Sequence, residues 1–279
     1  MATISARQEL SGDSRMNERV QKILSQWGIA SRRQAEQMIL EGRVQLNGTI
    51  AQLGQKAHPF RDRIAVDGVL VQPIDRPDPI YLLLNKPKGS VSTCHDPDQR
   101  RTVLDFLPPE LQTGQGIHPV GRLDTESTGA LLLTNDGKVT FYLTHPRHHI
   151  PKTYQVWVDG YPAEATLRAW RHGIILSGQK TLPAQVKILT THPDGKTLLE
   201  VILNEGRNRQ IRRMAEQLGH PVLHLHRTAI GTIRLQRPGS SPLLSGAWRP
   251  LDAVEIGFLN AQLDLGSRGV PVEREEYSL

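Results

Sequence analysis

Apolar residues recur along this chain at two periods, and the places where the period changes mark out its elements. Val20, Ile23, Leu24 and Trp27 fall at i, i+3, i+4 and i+7, the stripe of a short helix, and Gly28 follows where a helix end favours a left-handed residue. Ser31-Arg32-Arg33-Gln34 reads as a capping box opening a second helix, with Ala35, Met38 and Ile39 as its stripe and Gly42 as its stop. Residues 43–46 then alternate as a strand does, and Asn47-Gly48 is a hairpin turn; residues 63–66 and Asp67-Gly68 repeat the pattern. A small helical and β module is expected over residues 15–73, followed by a proline-marked linker at 74–79.

Beyond the linker the pattern is mixed. Strands are expected at 80–84, 130–134, 152–158, 184–189, 197–203 and 222–225, and helices at 138–144, 163–172 and 209–218. There is no βαβ rhythm and no glycine-rich phosphate loop, so the fold class is α+β: the small N-terminal module plus a larger domain, residues 80–260, on a mainly antiparallel mixed sheet. Residues 1–14 lack an apolar segment and read as a disordered leader, and residues 261–279 turn polar and read as a flexible tail.

Composition narrows the class. Among 279 residues, 34 Lys and Arg against 28 Asp and Glu give a formal charge of +6. The excess is local: residues 15–43 carry Arg15, Arg19, Lys22, Arg32, Arg33 and Arg43 against three acids, which suits a phosphate backbone better than an ordinary solvated face. One cysteine, Cys94, excludes an intramolecular disulfide and a cysteine zinc cluster. No apolar run reaches the ~20 residues of a membrane span. A cytoplasmic, monomeric protein is expected.

Four groups of residues could carry chemistry. Asp124, in Gly121-Arg122-Leu123-Asp124, reads locally as a turn or cap residue, with Ser127 and Thr128 adding turn chemistry. Lys86 and Lys88, around Pro87, read as loop charges with a supporting role at the end of a strand. Lys152 and Tyr154 share one strand face; such a tyrosine is usually core, its alternative being a platform for a base, where stacking contributes ~1–3 kcal/mol. Residues 207–213 hold Arg207, Arg209, Arg212 and Arg213, with Asn208 as the expected N-cap and Ile211, Met214, Ala215 and Leu218 as the buried stripe. Arg209 and Arg213 lie roughly 150–170° from that stripe and should face solvent or RNA, whereas Arg212 lies about 110° away and can turn toward a carboxylate, Asp124 being the candidate. His145, His148 and His149 lack a carboxylate or cysteine partner at ligand spacing, so a surface or RNA-contact role ranks above metal binding.

Taken together and in order, Asn85-Lys86-Pro87-Lys88-Gly89, Val120-Gly121-Arg122-Leu123-Asp124 with the Leu131-to-Gly137 run, Lys152-Thr153-Tyr154 and Gly206-Arg207-Asn208-Arg209-Gln210-Ile211-Arg212-Arg213-Met214 closely resemble the RsuA/RluB/RluE/RluF group of ribosomal RNA pseudouridine synthases. The N-terminal module resembles the S4 RNA-binding domain. Ala130 departs from the leucine of the pattern, a conservative change. The resemblance implies isomerisation of a uridine within ribosomal RNA, or within an assembly intermediate, without cofactor or metal. It implies Asp124 as the nucleophile, attacking the ribose or acting through a glycal, Arg212 as its ion-pair partner, Tyr154 as the ring that stacks on uracil and Arg122 as the filler of the space a flipped base leaves. Lys86, Lys88, Lys152, Arg207, Arg209, Arg213 and the N-terminal set Arg19, Lys22, Arg32, Arg33 and Arg43 are expected to contact RNA. Large-subunit rRNA is the favoured substrate, with small-subunit rRNA, or a non-catalytic assembly role, as alternatives.

Overall fold

A computed structural model describes residues 17–71, 77–237 and 239–267, which fall into two compact units: one within Met1–Pro79 together with Pro108–Ile117, the other within Ile80–Leu107 and His118–Leu279. The expected leader and residues 74–76 of the expected linker lie outside the described residues.

In the first unit, helices α1 (Val20–Gln26) and α2 (Arg32–Leu40) pack on a four-stranded antiparallel sheet of β1 (Val44–Leu46), β2 (Thr49–Ile50), β3 (Ile64–Val66) and β4 (Val69–Val71), ordered β2-β1-β3-β4. The stripes behave as their spacing requires: Val20, Ile23, Leu24, Trp27, Ala35 and Ile39 are buried against Val44, Leu46 and Ile64. Each fully buried Leu or Ile contributes about 1.5–3 kcal/mol. The capping box forms reciprocally, Gln34 N–H donating to Ser31 Oγ at 3.3 Å and Ser31 N–H to Gln34 Oε1 at 3.0 Å. Both residues of each turn, Asn47-Gly48 and Asp67-Gly68, have the positive φ that a two-residue hairpin needs.

The second unit is built on β5 (Tyr81–Lys86), β6 (Thr128–Thr134), β7 (Lys152–Asp159), β8 (Gln185–His192), β9 (Lys196–Leu203), β10 (Val222–Ile230) and β11 (Trp248–Pro250), ordered β8-β9-β7-β10-β6-β5-β11. Short strands Ile233–Arg234 and His118–Pro119 pair with β10 and β6. Helices α3 (Gly137–Thr144), α4 (Glu164–His172), α5 (Gln210–Gln217) and α6 (Ala253–Ser267) complete it. Strands β7 to β10 with α4 and α5 enclose one core, including Val156, Leu199, Trp170 and Met214; β5 and β6 with α3 and α6 enclose another, including Leu83, Leu132, Val139 and Leu259.

The join between these halves positions the site. Along the sheet order every neighbour is antiparallel except β10 and β6, which run parallel and pair only at His226 with Thr128 and Arg227 with Gly129. Gly129, at φ +108°, is required there, because a Cβ would stand 2.2 Å from the Arg227 carbonyl oxygen. The pairing extends no further, and the turn at residues 124–127 immediately precedes its first residue on β6, Thr128.

Two expectations need correction. Strand β10 continues five residues beyond 225, to Ile230, and α6 runs to Ser267, so residues 261–267 are helix rather than tail. The polar letters there hid a helix whose buried residues, Glu255 and Leu259, include a carboxylate paired with Arg249 at 2.6 Å. Residues 268–279 lie outside the described residues.

Candidate active site

Asp124 sits in a turn closed by Ser127 N–H donating to the Asp124 carbonyl at 3.0 Å. Leu123 before it is buried and anchored by Ser92, whose Oγ accepts from Leu123 N–H at 3.1 Å and donates to its carbonyl at 2.9 Å. The backbone is therefore fixed while the carboxylate is left about a third exposed. Its side-chain partners are arginines from the start of α5, Arg209 Nη1 at 3.4 Å and Arg212 Nε at 3.9 Å. The carboxylate does not cap the turn. Ser127 does not hold it directly either: its Oγ accepts from Arg212 Nη2 at 3.1 Å, and Thr128 Oγ1 meets His226 Nδ1 at 2.8 Å.

Lys86 is not the solvated loop charge its position beside proline suggested. It ends β5, is fully buried, and donates to three backbone carbonyls, Pro87 at 3.1 Å, Asp124 at 3.2 Å and Ser127 at 3.0 Å. Burial pushes its pKa down to about 8, against the pull of Asp124 and Glu126. The ammonium ties the end of one strand to both ends of the turn carrying Asp124. Lys88, by contrast, is exposed and pairs with Glu126 at 2.9 Å.

The arginine segment divides in a way the helical wheel did not foresee. Helix α5 starts one residue later than Asn208 would cap it; the N-cap is Arg209, in the left-handed region at φ +48°, with no side-chain cap. That excursion turns Arg209, expected to face outward, toward Asp124. Arg212 does turn inward, donating to the Glu126 carbonyl and Ser127 Oγ, and its buried Nε, 3.9 Å from Asp124, has no hydrogen-bond partner among the described residues. Burial, then the nearby Arg209, lowers its pKa. Arg207 is occupied within the fold by Glu205 and the carbonyls of Gln179 and Lys180, and Arg213 by Ser177. Gln210, 3% exposed, closes the loop by accepting from Arg207 N–H at 3.1 Å and donating to Glu205 at 2.7 Å.

These elements surround a cleft of about 320 Å³ lined by Asp124, Arg122, Lys152, Tyr154, Arg209 and Arg227. Tyr154 is half-buried, packing against the β7–β10 core while lining the cleft, so both of its readings hold in part. Lys152 donates to the Leu143 carbonyl at 3.2 Å, and burial followed by the charge of Arg227 brings its pKa down to about 8. Arg122 is exposed. His145 and His149 line the cleft, and no group of metal-ligating side chains occurs among the described residues. Arg227, which lies beyond where the expected strand stopped, was missed; carrying the alternation of Leu225 onward puts it on the inner face.

In the first unit Arg19, Lys22 and Arg32 line an open groove of about 470 Å³ with Lys56, Glu18 and Glu36. Arg32 and Arg33 are exposed, whereas Lys22 pairs with Glu18 at 2.5 Å. Arg43 is held by Asp67 through two bonds of 2.8 and 2.7 Å and by Glu41, which raises its pKa further; its charge is engaged within the fold.

A carboxylate beside two arginines, in a cleft that Tyr154, Lys152 and Arg227 also line, together with a basic module, suits an enzyme acting on a polyanion. Residues 80–217 match the RNA pseudouridylate synthase family and residues 18–64 the S4 domain. The chain is 40% identical over 251 residues to the ribosomal large subunit pseudouridine synthase B of Bacillus subtilis strain 168, covering 89% of this chain and 98% of that protein. The like-named protein of Pseudomonas aeruginosa is 36% identical over 261 residues, 92% of this chain and 65% of that protein. A crystal structure of a pseudouridylate synthase aligns with a TM-score of 0.61 at 32% identity, covering 86% of this chain and 99% of that one. This chain belongs to the RsuA/RluB family of RNA pseudouridine synthases, isomerases that here carry an N-terminal S4 RNA-binding domain. No helix among the described residues is long and apolar enough to cross a membrane.

Proposed function

We propose that this enzyme isomerises a uridine of large-subunit ribosomal RNA, with Asp124 as the attacking carboxylate. The observation that carries the role of Asp124 is its placement: a carboxylate on a backbone fixed by Lys86, Ser92 and the 124–127 turn, open to the cleft that Tyr154 lines. The names of the two bacterial relatives favour the large subunit. In this reading the carboxylate engages the ribose as the bond from C1′ to N1 of uracil breaks, the ring turns while stacked on Tyr154, and C5 takes the place of N1 on C1′. Arg212 and Arg209 hold the carboxylate in aim, and Arg122 occupies the space left in the RNA by the flipped nucleotide. Arg32 and Arg33 of the S4 module contact backbone phosphates.

The direct test is single-turnover pseudouridine formation on large- and small-subunit rRNA fragments by the parent protein, Asp124→Asn and Asp124→Ala. Product on the large-subunit RNA from the parent, none from either variant, and nearly unchanged RNA affinity are expected. Turnover by Asp124→Ala contradicts the role of Asp124. Product confined to small-subunit RNA contradicts the substrate.

A further inference from the structure

The cleft is lined by two cations, Arg227 and Lys152, that form no ion pair among the described residues. Arg227, only 5% exposed, lines the cleft and donates Nε to the Ala130 carbonyl at 2.7 Å, while its buried Nη2 has no hydrogen-bond partner among the described residues. Lys152 lines the same cleft and, among the described residues, makes one hydrogen bond, to the Leu143 carbonyl. Arg227 is near enough to disfavour the charged form of both Lys152 and Lys86. A buried donor without a partner is destabilising, and a cluster of like charges adds to that, so the fold retains these groups against its own stability. Their neighbour is the aromatic ring of the site. Tyr154 and Arg227 are register partners across β7 and β10, and Lys152 precedes Tyr154 by two residues on the same strand face.

We infer that Arg227 and Lys152 form an anion subsite for the uracil ring itself, donating to its carbonyl oxygens and stabilising the negative charge the ring bears once detached from the ribose. The inference rests on the reading of Asp124 as the catalytic carboxylate. When C1′–N1 breaks heterolytically, its electron pair leaves with the ring, and the charge spreads over N1, O2 and O4. Asp124 forms the bond to C1′ in its place. As C5 bonds to C1′ and expels the carboxylate, the C5 proton passes to water and N1 takes one up, so the uridine is isomerised with no net loss or gain of protons. Donors already in place and withdrawn from water act most strongly on charge that appears only in mid-reaction. A backbone phosphate fits this subsite less well. A ring lying on Tyr154 brings its edge to Arg227, whereas phosphate is charged throughout and its recognition belongs to exposed arginines.

The test compares Arg227→Gln and Lys152→Gln with the parent protein, measuring single-turnover rate at saturating RNA and Kd over a range of salt. Each variant is expected to slow the saturated rate by about 10²-fold, the typical effect of losing one preorganised oxyanion donor, with Kd and its salt slope unchanged. A saturated rate within about twofold of the parent in both variants overturns the inference on that same scale. So does weaker binding with the salt slope reduced by about one and the rate unchanged, the signature of a phosphate contact. Thermal melting identifies a variant that fails to fold, and should Arg227→Gln do so, Lys152→Gln decides. Asp124→Asn, run in parallel, separates the two readings: turnover by Asp124→Asn overturns the role of Asp124, while an inactive Asp124→Asn beside fully active Gln variants overturns only the subsite.

Discussion

The two units of this enzyme use positive charge in opposite ways. In the S4 module Arg32 and Arg33 are exposed, and other cations are balanced by carboxylates such as Glu18 and Asp67. In the catalytic unit Lys86 is fully buried, Lys152 is half-buried and Arg227 is 5% exposed, and none of the three is paired with a carboxylate among the described residues. Solvated charge gives affinity that salt can screen and is replaceable residue by residue. Desolvated charge costs stability, resists screening, and fixes geometry through the hydrogen bonds it must make. The difference teaches that the total of +6 says little about mechanism, whereas the solvation of each cation says much.

That contrast can be broken or sharpened by substitution. The largest effect is expected for Arg212→Ala, which removes the bonds to the Glu126 carbonyl and Ser127 Oγ and the cation beside Asp124. Activity should fall close to background with the melting temperature little changed; a normal rate rejects the pairing. Lys86→Met comes next. It leaves three carbonyls around the Asp124 turn without their donor, so the rate at saturation should drop about 10–100-fold, equivalent to ~1.4–2.7 kcal/mol of barrier, with Kd for RNA preserved. Loss of affinity at an unchanged rate would place Lys86 with the solvated class.

A smaller effect follows from pH. Burial lowers Lys86 and Lys152 to about 8 in the folded protein, from about 10.4 in an unfolded chain. Below 8 both states are protonated and the cost of the buried charges is present in full. Between those values the unfolded chain binds more protons, so stability, read as the urea midpoint, should rise with pH across that window. Activity should move the other way and decline several-fold above about pH 8 as the ammonium groups are lost. The smallest effect on chemistry is expected for Arg32→Ala with Arg33→Ala: a salt slope lower by about two, weaker binding, and an unchanged rate at saturation.

Local signals carried the S4 module almost whole. Its helices, capping box and turns depend on residues a few positions apart, and such rules act before any tertiary contact forms. The catalytic unit was legible as a set of strands and as an order of motifs, but less so where a distant partner decides the outcome. Asn208 looked like a cap because asparagine often is one; Gln210 and Glu205 instead close that loop, and Arg209 takes the left-handed position. Lys86 looked solvated because nothing in its neighbours announces the Asp124 and Ser127 carbonyls, which lie about forty residues away. Arg227 was invisible because a buried, half-satisfied arginine contradicts the pattern by which inner faces are read. Arg209 and Arg227, both misread, line the cleft, where local preference yields to chemistry.

The central claim is that Asp124 converts one uridine of large-subunit rRNA, and mapping pseudouridine in rRNA from cells lacking the gene, complemented with the parent or with Asp124→Asn, tests it most directly. The account predicts one large-subunit position that loses its pseudouridine, regains it with the parent and stays uridine with Asp124→Asn. Restoration by Asp124→Asn, or loss confined to the small subunit, would contradict it.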